Sequence, residues 1–122
     1  PLMTAEAVFE AAFPELVYPR WVPLSGELDS EDFLFTGAPV DIETADGTAR
    51  MIFRFFPGQS HYLIVRGIED LEGVELREIN WRSDPQFDIY SIGYAYEQAA
   101  GTLLIKLGHR SDRTEEPVVI RY

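Results

Sequence analysis

Residues 40–55 constrain the fold of this chain more than any other stretch. Val40-Asp41-Ile42-Glu43-Thr44 alternates apolar and polar side chains, and Ala49, Met51, Phe53 and Phe55 alternate with Arg50 and Arg54. A period of two is the mark of a strand with one buried face. Between the runs stands Asp46-Gly47, a pair favoured in type I′ hairpins because both central residues there take positive φ. A two-residue loop at this point sets Glu43 opposite Arg50, Ile42 opposite Met51 and Val40 opposite Phe53. One face is then wholly apolar and the other carries a charge pair.

The rest of the chain reads in the same direction. Helical spacing occurs only at the start, where Ala5, Val8, Phe9, Ala12, Phe13 and Leu16 form one stripe. Thr4 is a suitable N-cap and Pro14 ends the helix near Phe13. So short a helix is marginal alone, and its stripe is expected to dock on a sheet. Residues 14–39, rich in Pro, Gly and aromatics, read as irregular chain with a short strand at Phe33–Thr36. His61–Arg66, Val74–Arg82, Phe87–Tyr96, Leu103–Leu107 and Pro117–Tyr122 read as strands. In Val74–Arg82 the apolar set changes face, which a bulge near Arg77-Glu78 repairs. Phe87–Tyr96, apolar on both faces, is expected to be central, and Pro117–Tyr122 to be an edge because it contains proline. The connections are too short for parallel crossovers. The expectation is therefore an α+β chain forming one domain, residues 1–122, with its helix packed on a mostly antiparallel sheet of about seven strands. A half-open β-barrel or a β-sandwich with the helix as plug is the alternative. Pro1-Leu2 before Met3 reads as a remnant ahead of the native start.

Charge narrows the partners. The 122 residues carry 21 acids against 10 bases, a net charge of -11. Residues 1–46 hold ten of the acids and one base. Counterion-release binding to nucleic acid needs a basic footprint, and anionic membrane surfaces need one too, so neither is expected. No apolar run approaches the roughly 18 residues that cross a bilayer. No signal-peptide pattern is present, and a cytoplasmic location is expected. The charged partner that fits is a basic one.

Catalytic grammar is sparse. With no cysteine, disulfides, thiolate zinc sites and cysteine nucleophiles are ruled out. There is no phosphate-cradling glycine motif, and Lys106 is the only lysine. His61 and His109, the only histidines, have no neighbouring histidine at ligand spacing, so no metal is expected. Asp-Ser-Glu-Asp at 29–32 lacks the pattern of a calcium loop. Ser60 adjoins His61, but neighbours on a strand point to opposite faces. No catalytic residue and no cofactor are assigned, and the chain reads as non-enzymatic.

Two features point to binding. Tyr90, Ile92, Tyr94 and Tyr96 fall on one face of a strand, a pattern that suits recognition by large rigid side chains. Acidic residues cluster in segments 27–32 (Glu27, Asp29, Glu31, Asp32) and 69–78 (Glu69, Asp70, Glu72, Glu75, Glu78), the second interleaved with Leu71, Val74 and Leu76. An acidic rim around apolar residues suits a protein that plugs a basic cleft. In size, acidity, lack of cysteine and lack of a catalytic signature the chain resembles, as a class, the small immunity proteins of bacterial toxin systems. That resemblance carries no motif and no functional residue, and it implies a bacterial protein that binds a basic protein partner. A small-ligand binder or cofactor-free enzyme with an aromatic pocket of Tyr90, Tyr94 and Trp81, and a homodimer, are the other readings.

Overall fold

The hairpin forms in the expected register. In the computed structural model, which describes residues 4–14, 16–25 and 31–122, strands β3 (Val40–Ala45) and β4 (Thr48–Arg54) pair with Glu43 opposite Arg50, Ile42 opposite Met51 and Val40 opposite Phe53. Asp46 and Gly47 take φ of 48° and 75°, the positive values that a type I′ turn requires.

Ten strands, one helix and two 3-10 turns follow in chain order among the described residues. The helix α1 spans Ala5–Ala12; the other strands are β1 (Arg20–Pro23), β2 (Phe33–Thr36), β5 (Ser60–Arg66), β6 (Gly73–Leu76), β7 (Ile79–Trp81), β8 (Gly93–Glu97), β9 (Thr102–Gly108) and β10 (Glu115–Arg121). They make two five-stranded antiparallel sheets, the first in the order β1-β2-β5-β9-β8 and the second in the order β3-β4-β10-β6-β7. The inner faces of both sheets share one apolar cluster. Leu34, Leu63, Val65, Leu103, Ile105 and Leu107 come from the first sheet, and Met51, Phe53, Val74, Leu76, Val118 and Ile120 from the second. Fully burying one such side chain contributes about 1.5–3 kcal/mol. No described helix is long and apolar enough to cross a membrane.

The architecture corrects the expectation of a helix on one seven-stranded sheet. Thr4 caps α1 by accepting from the Ala7 N–H, as its position suggests, but no residue of the helix is buried. Val8 is 52% and Phe13 47% exposed, and Phe9 packs only against Phe13 and Tyr18 among the rings nearby. The apolar stripe exists without a sheet beneath it, because the two sheets already cover each other.

Three local expectations are corrected as well. Arg77 and Glu78 form no bulge; both have positive φ (54° and 67°) and make a two-residue turn between β6 and β7. The change of face seen in the sequence is this reversal of the chain. Phe87–Tyr96 is not a central strand: Phe87–Ile89 is a 3-10 turn, and β8 is the outer strand of the first sheet. Pro117 lies in β10, which is central, between β4 and β6. Its carbonyl accepts from the Arg77 N–H. In an antiparallel strand the N–H and C=O of one residue point the same way, so the missing N–H faces the Arg77-Glu78 turn. There it costs no ladder bond, since the β6 pairing begins one residue on, at Val118.

The outer faces differ in chemistry. On the second sheet Glu43 faces Arg50, Arg54 bonds Asp41, and Arg121 bonds Glu75 and Asn80. On the first sheet a row of Trp21, Phe35, Ile64, Leu104 and Ala95 runs in register across all five strands.

The turn at Asp46-Gly47 also meets Tyr122. A Cβ on Gly47 would lie 2.5 Å from the Tyr122 carbonyl oxygen, and its φ is strained for an L side chain. Gly47→Ala is expected to cost about 1–3 kcal/mol, read as a lower midpoint in urea; an unchanged midpoint would refute this account of the hairpin.

Candidate functional site

Glu31 and Asp32 of the first acidic segment meet Glu69 and Asp70 of the second at one end of the sandwich. Gly67 makes this possible: its φ is +88°, and a Cβ there would sit 2.2 Å from the Glu31 carbonyl oxygen, so residues 31–32 lie directly against it. The following Ile68 is buried in the core, and its N–H donates to the Gly101 carbonyl at 3.1 Å. The Tyr96 hydroxyl lies 2.5 Å from the Ile68 carbonyl and 2.9 Å from that of Glu69, sharing its one proton between them. On the other side, Tyr122 donates to Asp32 at 3.0 Å. Burial, and then the Asp32 carboxylate, raise the Tyr122 hydroxyl to about 12, so it stays a donor at every ordinary pH. Glu31, Asp32, Gly67, Glu69, Asp70 and Tyr122 line an open cleft of about 400 Å³.

None of these four carboxylates makes an ion pair among the described residues. Four carboxylates without an ion pair around one cleft produce a local field that attracts cations. Among the described residues, no group of three or more histidines and carboxylates is placed to hold a metal ion. Glu72 is exposed and lies outside the cleft lining; its N–H joins the Arg121 carbonyl. Glu27 and Asp29 lie outside the described residues.

Glu31 belongs to a second hollow as well, of about 330 Å³, lined also by Trp21, Phe33 and Arg66. The cleft therefore continues onto the aromatic end of the outer face of the first sheet.

The tyrosines separate instead of forming a flat surface. Tyr90 is 53% exposed, whereas Tyr94 is 5% exposed and donates to the Trp81 carbonyl. Tyr96 is half-buried and bonds the loop at Ile68 and Glu69. Residues alternating along β8 face inward, and the core takes them. Yet Trp81, Tyr90 and Tyr94 do line one cavity, of about 360 Å³, with Phe87, Arg82 and Asp84.

A cluster that local spacing does not mark lies near the other end. His61 and His109, 48 residues apart, approach to 2.9 Å between their Nε2 atoms. His61 is opposite Leu107 in the β5–β9 ladder, so it is diagonal to His109 on the inner face. The Nδ1–H of His109 donates to the Thr114 carbonyl at 2.8 Å. A carbonyl only accepts, so neutral His109 presents a lone pair at Nε2, and the Nε2–H of His61 donates to it. Burial and then the neighbouring His109 lower His61 to about 3. Burial lowers His109 too, against opposing help from Thr114 and Glu116.

Glu116 completes the cluster. It falls on the inward side of β10 and is fully buried. Burial pushes its carboxyl up, but hydrogen bonds from the Arg110 side chain and backbone, with the charges of Arg110 and Arg77, hold it below the usual carboxylate range. Arg110 Nη2 lies 2.5 Å from Oε1 and the Arg110 N–H donates to Oε2 at 2.7 Å. Arg77 approaches Oε2 at 3.7 Å and donates to the Gly108 carbonyl. These groups satisfy one another and hold the 109–114 loop. Comparison with protein-family models, curated proteins and solved structures returns no match for this chain.

The histidines make stability depend on pH. Both are lowered in the fold, His61 to about 3, while the unfolded chain protonates them near pH 6.5. Stability is expected to be level from pH 8 to 6.5. Below that it falls by up to about 1.4 kcal/mol per pH unit for each histidine, with Glu116 adding its loss under the unfolded carboxylate value. Denaturant midpoints against pH check this, and a level profile from pH 7 to 5 would refute it. His61→Phe is expected to flatten the slope.

Proposed function

We propose that the protein is a non-enzymatic binding domain for a basic protein, of the inhibitor or immunity type, working in the bacterial cytoplasm. The supporting observation is the convergence of Glu31 and Asp32 with Glu69 and Asp70 on one cleft, beside an aromatic surface. Two segments more than thirty residues apart contribute carboxylates that make no ion pair among the described residues. Such a surface raises the encounter rate with a positive partner and rejects nucleic acid. The apolar row on the first sheet supplies the area that a charged cleft alone lacks.

Capture with the tagged chain in lysate of its source organism tests this, washed at low and then high salt. A stoichiometric basic protein, weakened by salt, is the expected result. The variant Glu31→Lys, Glu69→Lys, Asp70→Lys is expected to weaken that partner roughly tenfold or more while leaving the thermal midpoint near its original value. Asp32 is left in place because it holds Tyr122. Unchanged affinity in this variant would refute the reading.

The cavity of Trp81, Tyr90 and Tyr94 favours a second reading, a small-ligand binder. Its size falls within the range of small-molecule sites, and Arg82 and Asp84 supply polar groups. A thermal-shift screen against metabolites decides it: a stabilising compound that loses its effect in Tyr90→Ala supports it, and no stabilising compound counts against it.

A further inference from the structure

We propose that the hollow lined by Trp21, Phe33 and Glu31 is a seat for a guanidinium or ammonium group, its indole face covered in the free protein by the chain's own Arg66. The proposal rests on the reading above in taking the incoming cation from an arginine side chain of a basic partner. The Arg66 guanidinium carbon lies 5.1 Å from the centre of the Trp21 ring, within the range of attraction between a cation and an aromatic face. Phe35 packs against the indole at 5.1 Å between ring centres and holds it in place, opposite Trp21 in the β1–β2 ladder. Phe33 is opposite Arg66 in the β2–β5 ladder, so it lines the seat from the next strand.

The choice that Arg66 makes is informative. It directly precedes Gly67 and shares the lining of the hollow with Glu31, yet it forms no ion pair among the described residues. Its guanidinium rests on the indole instead. Glu31 in the lining, shared with the acidic cleft beside it, disfavours an anion as ligand. The hollow is open, and Trp21 remains 42% exposed, so the seat is reachable from solution. An incoming arginine displaces Arg66, which is then free to swing toward the unneutralised carboxylates of the cleft. The exchange leaves a cation on the indole and puts another beside the acids, so it costs little.

The test uses the ¹⁵N-labelled full chain and follows the two indole N–H signals, with Trp81 as internal control. N-acetyl-arginine methylamide is the probe, and the corresponding citrulline amide, neutral and of the same shape, is the comparison. Expected is a saturable shift of the Trp21 signal with the arginine amide and none with citrulline. Arg66→Ala, which removes the competing cation, is expected to tighten the arginine amide about two- to fivefold. No saturable shift in either protein overturns the proposal, as does an equal response to citrulline. Equal affinity in Arg66→Ala refutes the role of Arg66 as occupant. Free arginine carries a carboxylate that the acidic cleft repels; if it binds tighter than the blocked amide, the seat belongs to a small metabolite and not to a partner's side chain. No partner protein enters this titration, so a saturable shift together with a failed capture would sink the proposed function alone.

Discussion

The last strand holds this molecule together. Without β10 the second sheet is two separate hairpins, β3–β4 and β6–β7, and an isolated two-stranded hairpin is marginally stable at best. β10 enters between them, pairing with β4 along its length and with β6 from Val118 to Arg121. It brings Val118 and Ile120 to the centre of the core. Its ends reach both ends of the sandwich. Glu116 is buried with Arg110 and Arg77 and holds the 109–114 loop. Tyr122 reaches back to Asp32 and, by its N–H, to the Gly47 carbonyl. The acidic cleft therefore owes one wall to Tyr122.

What could be read from the sequence was local. The Asp46-Gly47 hairpin and its register follow from a turn that only certain residues make and a period that only one pairing satisfies. The inward row Leu103, Ile105, Leu107 and the Thr4 cap follow in the same way. Errors came where tertiary partners decide. Pro117 argues for an edge until the N–H it lacks is found to point past the end of β6. The change of face at Arg77-Glu78 fits a bulge or a tight turn equally, and only the positive φ of both residues separates them. The helix stripe predicts a partner surface, but that surface was already taken by the opposite sheet. His61 and His109 carry no mark in one dimension, because their contact depends on β5 lying beside β9.

The candidate site shows the same division. That residues 27–32 and 69–78 are acidic is plain in the sequence; that Glu31 and Asp32 lie against Gly67, beside Glu69 and Asp70, is a product of folding. The tyrosine stripe dissolved for the opposite reason. A residue type suited to recognition is equally suited to a core when its hydroxyl finds a carbonyl, as Tyr94 does at Trp81. The two outer faces then sort the surface: charge pairs occupy the second sheet, while the first sheet carries an uninterrupted apolar row that ends at Trp21 beside the acids. Apolar area adjoining uncompensated charge is the arrangement through which a small acidic chain could both attract and hold a basic protein.

The most direct measurement is amide hydrogen exchange, residue by residue, on the free chain and on its complex with the captured basic protein. The account predicts slowed exchange at residues 31–36 and 66–70 on complex formation, with the β3–β4 hairpin unchanged. Protection confined to the outer face of the second sheet, around Glu43, Arg50 and Glu75, with none at the cleft, would contradict it.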